Sequence, residues 1–124
     1  MKIWDNERRL LSLVNNMRAK VMIGGQLGQK VSLRSESFTG VKTIGLFWFK
    51  EGISCRIDAE MEVSEGRAKL LLVRKGQLIP ILLEAGKDTK ILKFERGFAR
   101  LRIVGDHASL KLHFSLTKGV TYIE

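Results

Sequence analysis

Hydrophobic and polar residues alternate along much of the chain, and the clearest case runs from Ser54 to Val63. Successive side chains of a β-strand point to opposite faces of a sheet, so this alternation predicts a strand with one face buried and one in water. The apolar face would carry Cys55, Ile57, Ala59, Met61 and Val63, and the polar face Arg56, Asp58, Glu60 and Glu62.

Short segments rich in glycine and charged residues separate the alternating stretches, about every 8 to 12 residues in the second half of the chain. They predict turns at 64–66, 75–77, 85–88, 95–97 and 105–107. A tight hairpin at 64–66 would bring Arg67 near Glu62 and Lys69 near Glu60. Pro80 lacks a backbone N–H, which favours a sheet edge or a bulge at that position.

Two further strands are expected near Val31–Ser35 and Val41–Lys50, which makes seven to eight in all. This spacing is typical of an antiparallel β-sandwich, jelly-roll-like or Ig-like. A small β-barrel is the alternative, because alternation does not distinguish a closed sheet from two packed ones.

The N-terminal segment follows a helical period instead. Asp5 or Asn6 can cap a helix start, and the glycines from Gly24 to Gly28 can end one. The pattern predicts one amphipathic α-helix over about 5–22, ahead of a sandwich over 31–124, in a single domain 1–124. The apolar stripe consists of Leu10, Leu13, Val14, Met17 and Val21.

Charge is the unusual feature of the composition. The chain has 124 residues, with 22 Lys+Arg against 13 Asp+Glu, for a net charge of +9. Such an excess suggests an anionic partner without naming one. Cys55 is the single cysteine, so no intrachain disulfide can form. With no secretory leader and no apolar run near the roughly 20 residues of a membrane span, the expected location is the cytoplasm.

The residues that could carry chemistry do not form a recognisable catalytic or metal-binding pattern. The glycines before Lys30 lack the spacing of a phosphate-binding loop, and His107 and His113 have no partner at zinc-site spacing. Cys55 lies on the inward phase of its strand, which favours a buried, inert thiol. Asp58, Glu60 and Glu62 are interpreted as a charge-balanced, solvated face. We therefore expect no enzyme, no cofactor and no metal.

Two groups of residues are candidate binding sites. If a hairpin turns about Gly105 and Asp106, four outward side chains would form a basic patch free of carboxylates: Arg100, Arg102, Lys111 and His113. Trp48 and Lys50 share one face of a strand, where an exposed indole could stack on a base or a sugar ring. Packing of Trp48 in the core is the competing interpretation.

Function is predicted from these features. The main hypothesis is a non-enzymatic module that binds another protein, or its own copy, through a sheet face, a sheet edge or the N-terminal helix. Nucleic-acid binding through the basic face is the alternative, and salt-sensitive affinity would be its signature. A carbohydrate-binding sandwich with Trp48, Trp4 or Tyr122 as stacking platforms is the second alternative.

Overall fold

The computed structural model describes residues 16–50 and 52–119, and these form an all-β, antiparallel structure. No helix with the length and apolarity of a membrane span occurs in this part of the chain. Its seven strands are β1 (Asn16–Arg18), β2 (Val21–Leu27), β3 (Lys30–Phe49), β4 (Ile53–Arg74), β5 (Gln77–Leu82), β6 (Gly86–Phe94) and β7 (Gly97–Lys118).

Three long strands form the centre of the sheet, and short strands flank them. β7 lies between β3 and β4 and pairs with both along most of its length. β1 and β2 pair with the outer edge of β3, while β5 and β6 pair with the outer edge of β4. Each flanking strand covers a different half of its long neighbour, so the two halves of the sheet have their own edges.

The long strands bend back on themselves, and this makes the sheet a sandwich. Phe114 pairs with Val31, yet its ring centroid lies 5.5 Å from that of Phe47, sixteen positions further along β3. In a straight strand those two positions on β3 would be about 50 Å apart. The two halves of β3 therefore face each other across the core.

We call the two halves layer A and layer B. Layer A comprises β2, β6 and residues 30–35, 53–63 and 108–118 of the long strands. Layer B comprises β1, β5 and residues 38–49, 67–74 and 97–105. The inward side chains of both layers form one hydrophobic core, within which Phe49 and Phe94 stack with centroids 3.9 Å apart.

The predicted β-sandwich is confirmed, but two of the predicted turns are wrong. Residues 64–66 and 105–107 lie inside continuous strands, where β4 and β7 are bulged against each other. Gly66, with φ +69°, makes the bend because glycine adopts this conformation readily. Arg67 therefore pairs with Asp106 of β7 and not with Glu62.

The predicted helix is wrong where the structure can be compared with it. Asn16–Arg18 and the segment from Val21 onward are strands β1 and β2, paired with β3. Residues 5–15 of the predicted helix lie outside the described residues. The expectation for Pro80 is confirmed, since it lies on the flanking strand β5 beside an irregularity in the β4–β5 register.

Candidate functional site

An aromatic pair is exposed at one end of layer B. Trp48 near the end of β3 and Phe98 near the start of β7 are cross-strand partners on the outer face. Their ring centroids lie 4.6 Å apart at an angle of 59°, and the residues are 41% and 58% exposed. Phe47 and Phe49 point inward and are buried, so core packing applies to the two neighbours of Trp48 and not to Trp48 itself.

A small cavity opens beside this pair, between the turn that joins β4 to β5 and the turn that joins β6 to β7. We call it the end pocket; its volume is about 140 Å³. Phe98 belongs to both the aromatic pair and the pocket lining, and the stacked rings of Phe49 and Phe94 close the pocket on the core side. The remaining lining residues are Arg74, Lys75, Gln77, Glu95, Arg96 and Gly97.

Local turn geometry positions the charged groups of the end pocket. Lys75 and Gly76 both have positive φ, at 45° and 72°, which is the signature of a type I′ hairpin. This tight turn sets the Lys75 Nζ 2.9 Å from a carboxylate oxygen of Glu95, across the pocket mouth. The hydrogen bond and the positive charge of Lys75 lower the pKa of Glu95 below its ordinary value.

The two arginines of the end pocket contact aromatic rings. The Arg74 guanidinium carbon lies 5.1 Å from the Phe94 centroid, and its Nη1 donates a hydrogen bond to the Lys93 carbonyl at 3.0 Å. The guanidinium carbon of Arg96 lies 5.9 Å from the centroid of the Trp48 ring, within cation–π range. Arg96 thus joins the end pocket to the aromatic pair.

Two lysines border the same end of the molecule. The Lys118 ammonium donates a hydrogen bond to the Trp48 carbonyl and lies 5.4 Å from the Phe49 ring centroid. Lys50, predicted to accompany Trp48, is exposed directly after β3. Together with Arg96, the Lys118 contacts place the aromatic pair in a positively charged neighbourhood.

The predicted basic patch does not form. β7 passes through Gly105 and Asp106 without a turn, so Arg100 and Arg102 lie in layer B while the other two members lie in layer A. Arg102 is fully buried, and burial together with the neighbouring Arg100 charge lowers its pKa to about 10. The hairpin on which the patch depended is absent because the bulge bends the strand without ending it.

Lys111 and His113 lie on the exposed outer face of layer A, beside carboxylates. Lys111 is the cross-strand partner of Glu62, and His113 is the partner of Glu60. The expectation of a face free of carboxylates is therefore wrong. Binding roles for the four individual residues stay predictions.

The remaining candidates for chemistry fit a structural role. Cys55 is buried as expected, and burial raises the pKa of its thiol. Thr89 donates a hydrogen bond to Asp58 at 2.7 Å, and this bond is the main reason that the pKa of Asp58 is lowered. No cluster of three or more metal-ligating side chains occurs among residues 16–50 and 52–119.

Sequence reasoning missed Phe98, Arg74, Glu95 and Arg96. A signal for Phe98 existed. It has the same alternation phase as Arg100 and Arg102, whose side chains the sequence predicts to point outward, and it lies at the start of the same strand. The other three lie in or beside turns that are far apart in sequence. Only the folded sandwich brings those turns together.

Comparison with known proteins finds matches among solved structures only at low sequence identity. No family model matches the sequence, and no curated protein matches it. Solved structures that match include a family 29 carbohydrate-binding module, 17% identical, with 86% of this chain and 77% of that chain covered at a TM-score of 0.40. A mutant of such a module complexed with mannohexaose is 18% identical, with 86% and 80% covered and a TM-score of 0.41. A third, complexed with cellulohexaose, is 16% identical, with 86% and 80% covered and a TM-score of 0.40.

At these identities the likeness is one of fold. The three matching structures named above are carbohydrate-binding modules. The prediction of a protein-binding or self-associating module is wrong on this finding, and so is its nucleic-acid alternative. The expected cytoplasmic location stays a prediction.

Proposed function

We propose that this chain is a non-catalytic carbohydrate-binding domain that stacks a sugar ring on Trp48 and Phe98. The observation that carries the proposal is the exposure of two large aromatic rings side by side on a sheet face, at 41% and 58%. Apolar rings of this size normally bury much of their surface, so an adjacent exposed pair on a folded domain marks a binding surface.

The chemistry of the pair suits a saccharide. One face of a pyranose ring presents C–H groups, and an indole or phenyl ring covers them without needing hydrogen bonds. The hydroxyl groups at the rim of the sugar then require polar partners. Arg96 lies against the Trp48 ring and Gln77 lines the adjoining end pocket, so donors stand beside the stacking surface.

The position of the pair on paired strands holds its geometry. Trp48 and Phe98 lie in register on β3 and β7, the two strands that pair over the longest stretch of layer B. A site on sheet strands keeps its rings oriented before the ligand arrives, which lowers the entropic cost of binding. Trp4 and Tyr122, the other stacking candidates from the sequence, lie outside the described residues.

The test is a binding screen followed by titration of matched variants. Wild-type protein is applied to an array of neutral and acidic polysaccharides, and the ligands found are titrated by calorimetry. Trp48→Ala should weaken binding at least about tenfold, as expected for a central aromatic contact, and Phe98→Ala should weaken it as well. Ile91→Ala is the control, because Ile91 is 42% exposed on the outer face of β6, away from the pair.

Two results would reject the proposal. One is an array without signal for the wild-type protein. The other is a Trp48→Ala variant that is folded by circular dichroism and binds as tightly as the wild type. Equal loss in the Ile91→Ala variant would also count against a site at the aromatic pair.

A further inference from the structure

We infer that the saccharide bound at this site is acidic, with the carboxylate of a hexuronate residue seated in the end pocket next to the stacked ring. This inference rests on the proposed function and adds the chemical class of its ligand. It follows from the contacts and charges of the pocket, and from the two residues, Phe98 and Arg96, that the pocket shares with the surroundings of Trp48.

The end pocket and the aromatic pair form a continuous surface. Phe98 lines the pocket and packs against Trp48 at a ring angle of 59°, while Arg96 lines the pocket and lies over the Trp48 ring. A sugar ring stacked on the pair therefore projects its substituents towards the pocket. The volume of about 140 Å³ suits one carboxylate with its adjoining ring atoms.

Positive charge dominates the pocket lining. It carries Arg74, Lys75 and Arg96 against the single carboxylate of Glu95. Glu95 is engaged by Lys75 at 2.9 Å, and that ion pair lies at the exposed mouth. Within the part of the chain that the structure describes, the guanidinium groups of Arg74 and Arg96 contact rings and a main-chain carbonyl, and neither forms an ion pair with a carboxylate. The charge of Arg74 adds a smaller contribution to the lowered pKa of Glu95.

Guanidinium groups in this arrangement favour a carboxylate ligand. An arginine presents a planar set of donors that can bind both oxygens of a carboxylate at once. A ring contact leaves the edge of the guanidinium plane available for such bonds. The +9 charge of the whole chain adds a long-range attraction that speeds the approach of a polyanion.

The experiment compares two polysaccharides that share a backbone and differ in charge. Polygalacturonate carries a carboxylate on every sugar, and its fully methyl-esterified form carries none. We expect the wild type to bind polygalacturonate at least about tenfold more tightly at low salt, with the difference shrinking as salt screens the charges. Gel electrophoresis in the presence of each polysaccharide, followed by calorimetry, measures both affinities.

Variants of the pocket separate a specific site from general attraction. Arg74→Gln should reduce the preference for the acidic form several-fold, while binding of the esterified form changes little. Arg96→Gln should also reduce this preference, and it should weaken binding of the esterified form to a smaller extent, because Arg96 stands beside the stacking surface as a donor to the sugar hydroxyl groups. Glu95→Gln removes the one carboxylate of the pocket and should strengthen binding of the acidic form. Arg34→Gln is the control, because Arg34 lies on the exposed outer face of layer A and its loss changes net charge equally.

The outcomes distinguish this inference from the proposed function. Equal affinity for the two forms, or binding of neutral glucans or mannans alone, overturns the acidic class and leaves carbohydrate binding in place. Absence of binding to every polysaccharide on the array overturns both. If a single-stranded oligonucleotide binds as tightly as polygalacturonate, and Arg34→Gln weakens both as much as Arg96→Gln does, the attraction is general and the inference fails.

Discussion

Trp48 stands between two buried phenylalanines, and its exposure depends on the one-residue alternation of a β-strand. Phe47 packs against Phe114, and Phe49 stacks on Phe94. The residues directly before and after Trp48 are therefore both anchored in the core. The indole is thereby held outward with its backbone fixed. A shift of one residue in register would exchange these roles, burying the tryptophan and exposing two phenylalanines.

A second residue-scale feature is the hydrogen bond from Thr89 to Asp58, which predicts a pH effect. In the Thr89→Val variant the pKa of Asp58 should move up towards its ordinary value, because the main cause of its lowering is gone. A carboxyl whose folded-state pKa is lowered adds stability above its unfolded pKa, and this contribution disappears as pH falls through the folded-state pKa.

The measurement for Thr89→Val is an NMR titration of the Asp58 carboxyl, with chemical unfolding near neutral pH and in acid. The difference in the free energy of unfolding between neutral and acidic pH should be smaller in the variant than in the wild type. Thr117→Val is the control on the same sheet face, since Thr117 pairs with Arg56. An unchanged Asp58 titration in Thr89→Val would contradict the assigned cause.

At the scale of elements, the bulges in β4 and β7 decide the architecture. Opposite Glu65 and Arg67 the two strands lose regular register, and a glycine lies on each strand at the bend. At Gly105, a Cβ atom would lie 2.2 Å from the Phe38 ring. Both strands continue past the bend, so their halves are carried into opposite layers and no hairpin forms.

This bend predicts a large cost for Gly66→Ala. The added Cβ would lie 2.3 Å from the carbonyl oxygens of Asp106 and His107, and these main-chain atoms cannot move without disturbing the pairing. Gly76→Ala is the matched control, because Gly76 has a similar φ of 72° but nothing within 4 Å of the added atom. Gly76→Ala should lower the free energy of unfolding by about 1–2 kcal/mol, because of the backbone conformation alone. Gly66→Ala should lower it by about 1–3 kcal/mol more, because of the added clash. Urea unfolding of both variants measures the difference, and equal losses would contradict the steric account.

At the scale of the whole molecule, the two layers share one hydrophobic core. Each long strand supplies side chains to it from both of its halves, one in each layer. Phe47 of layer B and Phe114 of layer A make contact across it. Phe98, by contrast, faces outward on the same strand as Phe114. We therefore expect stability and the proposed saccharide binding to depend on different aromatic residues.

Matched alanine variants should separate the two roles. Phe47→Ala removes a ring that is 2% exposed and should lower the free energy of unfolding by about 3–5 kcal/mol. Phe98→Ala, at 58% exposed, should cost far less stability while weakening saccharide binding. Thermal or urea unfolding, run beside the calorimetric titration, gives both quantities. Similar losses of stability in the two variants would contradict the assignment of Phe98 to the surface.

Folding should also be slow for a chain of this size. Lys30 at the start of β3 pairs with Ser115 near the end of β7, so the central pairing closes most of the chain into a loop. Proteins dominated by such distant pairings typically fold in milliseconds to seconds. Stopped-flow refolding followed by tryptophan fluorescence measures the rate, and microsecond folding would contradict this expectation.

The sequence by itself determined that the chain is mainly antiparallel β structure, and it identified the apolar face of the clearest strand, at Ser54–Val63. It favoured a sandwich over a barrel without deciding between them. Alternation is a local property, and it identified the inward phase of Cys55 and the outward phase of Asp58 correctly. Only the tertiary structure decided that Gly66 and Gly105 belong to bulges, because a glycine can serve a turn or a bulge and the partner strand selects between them. The end pocket too was decided only by the tertiary structure. Arg74 and Arg96 meet there because two turns, separate in sequence, are brought to one end of the sandwich by strands that double back.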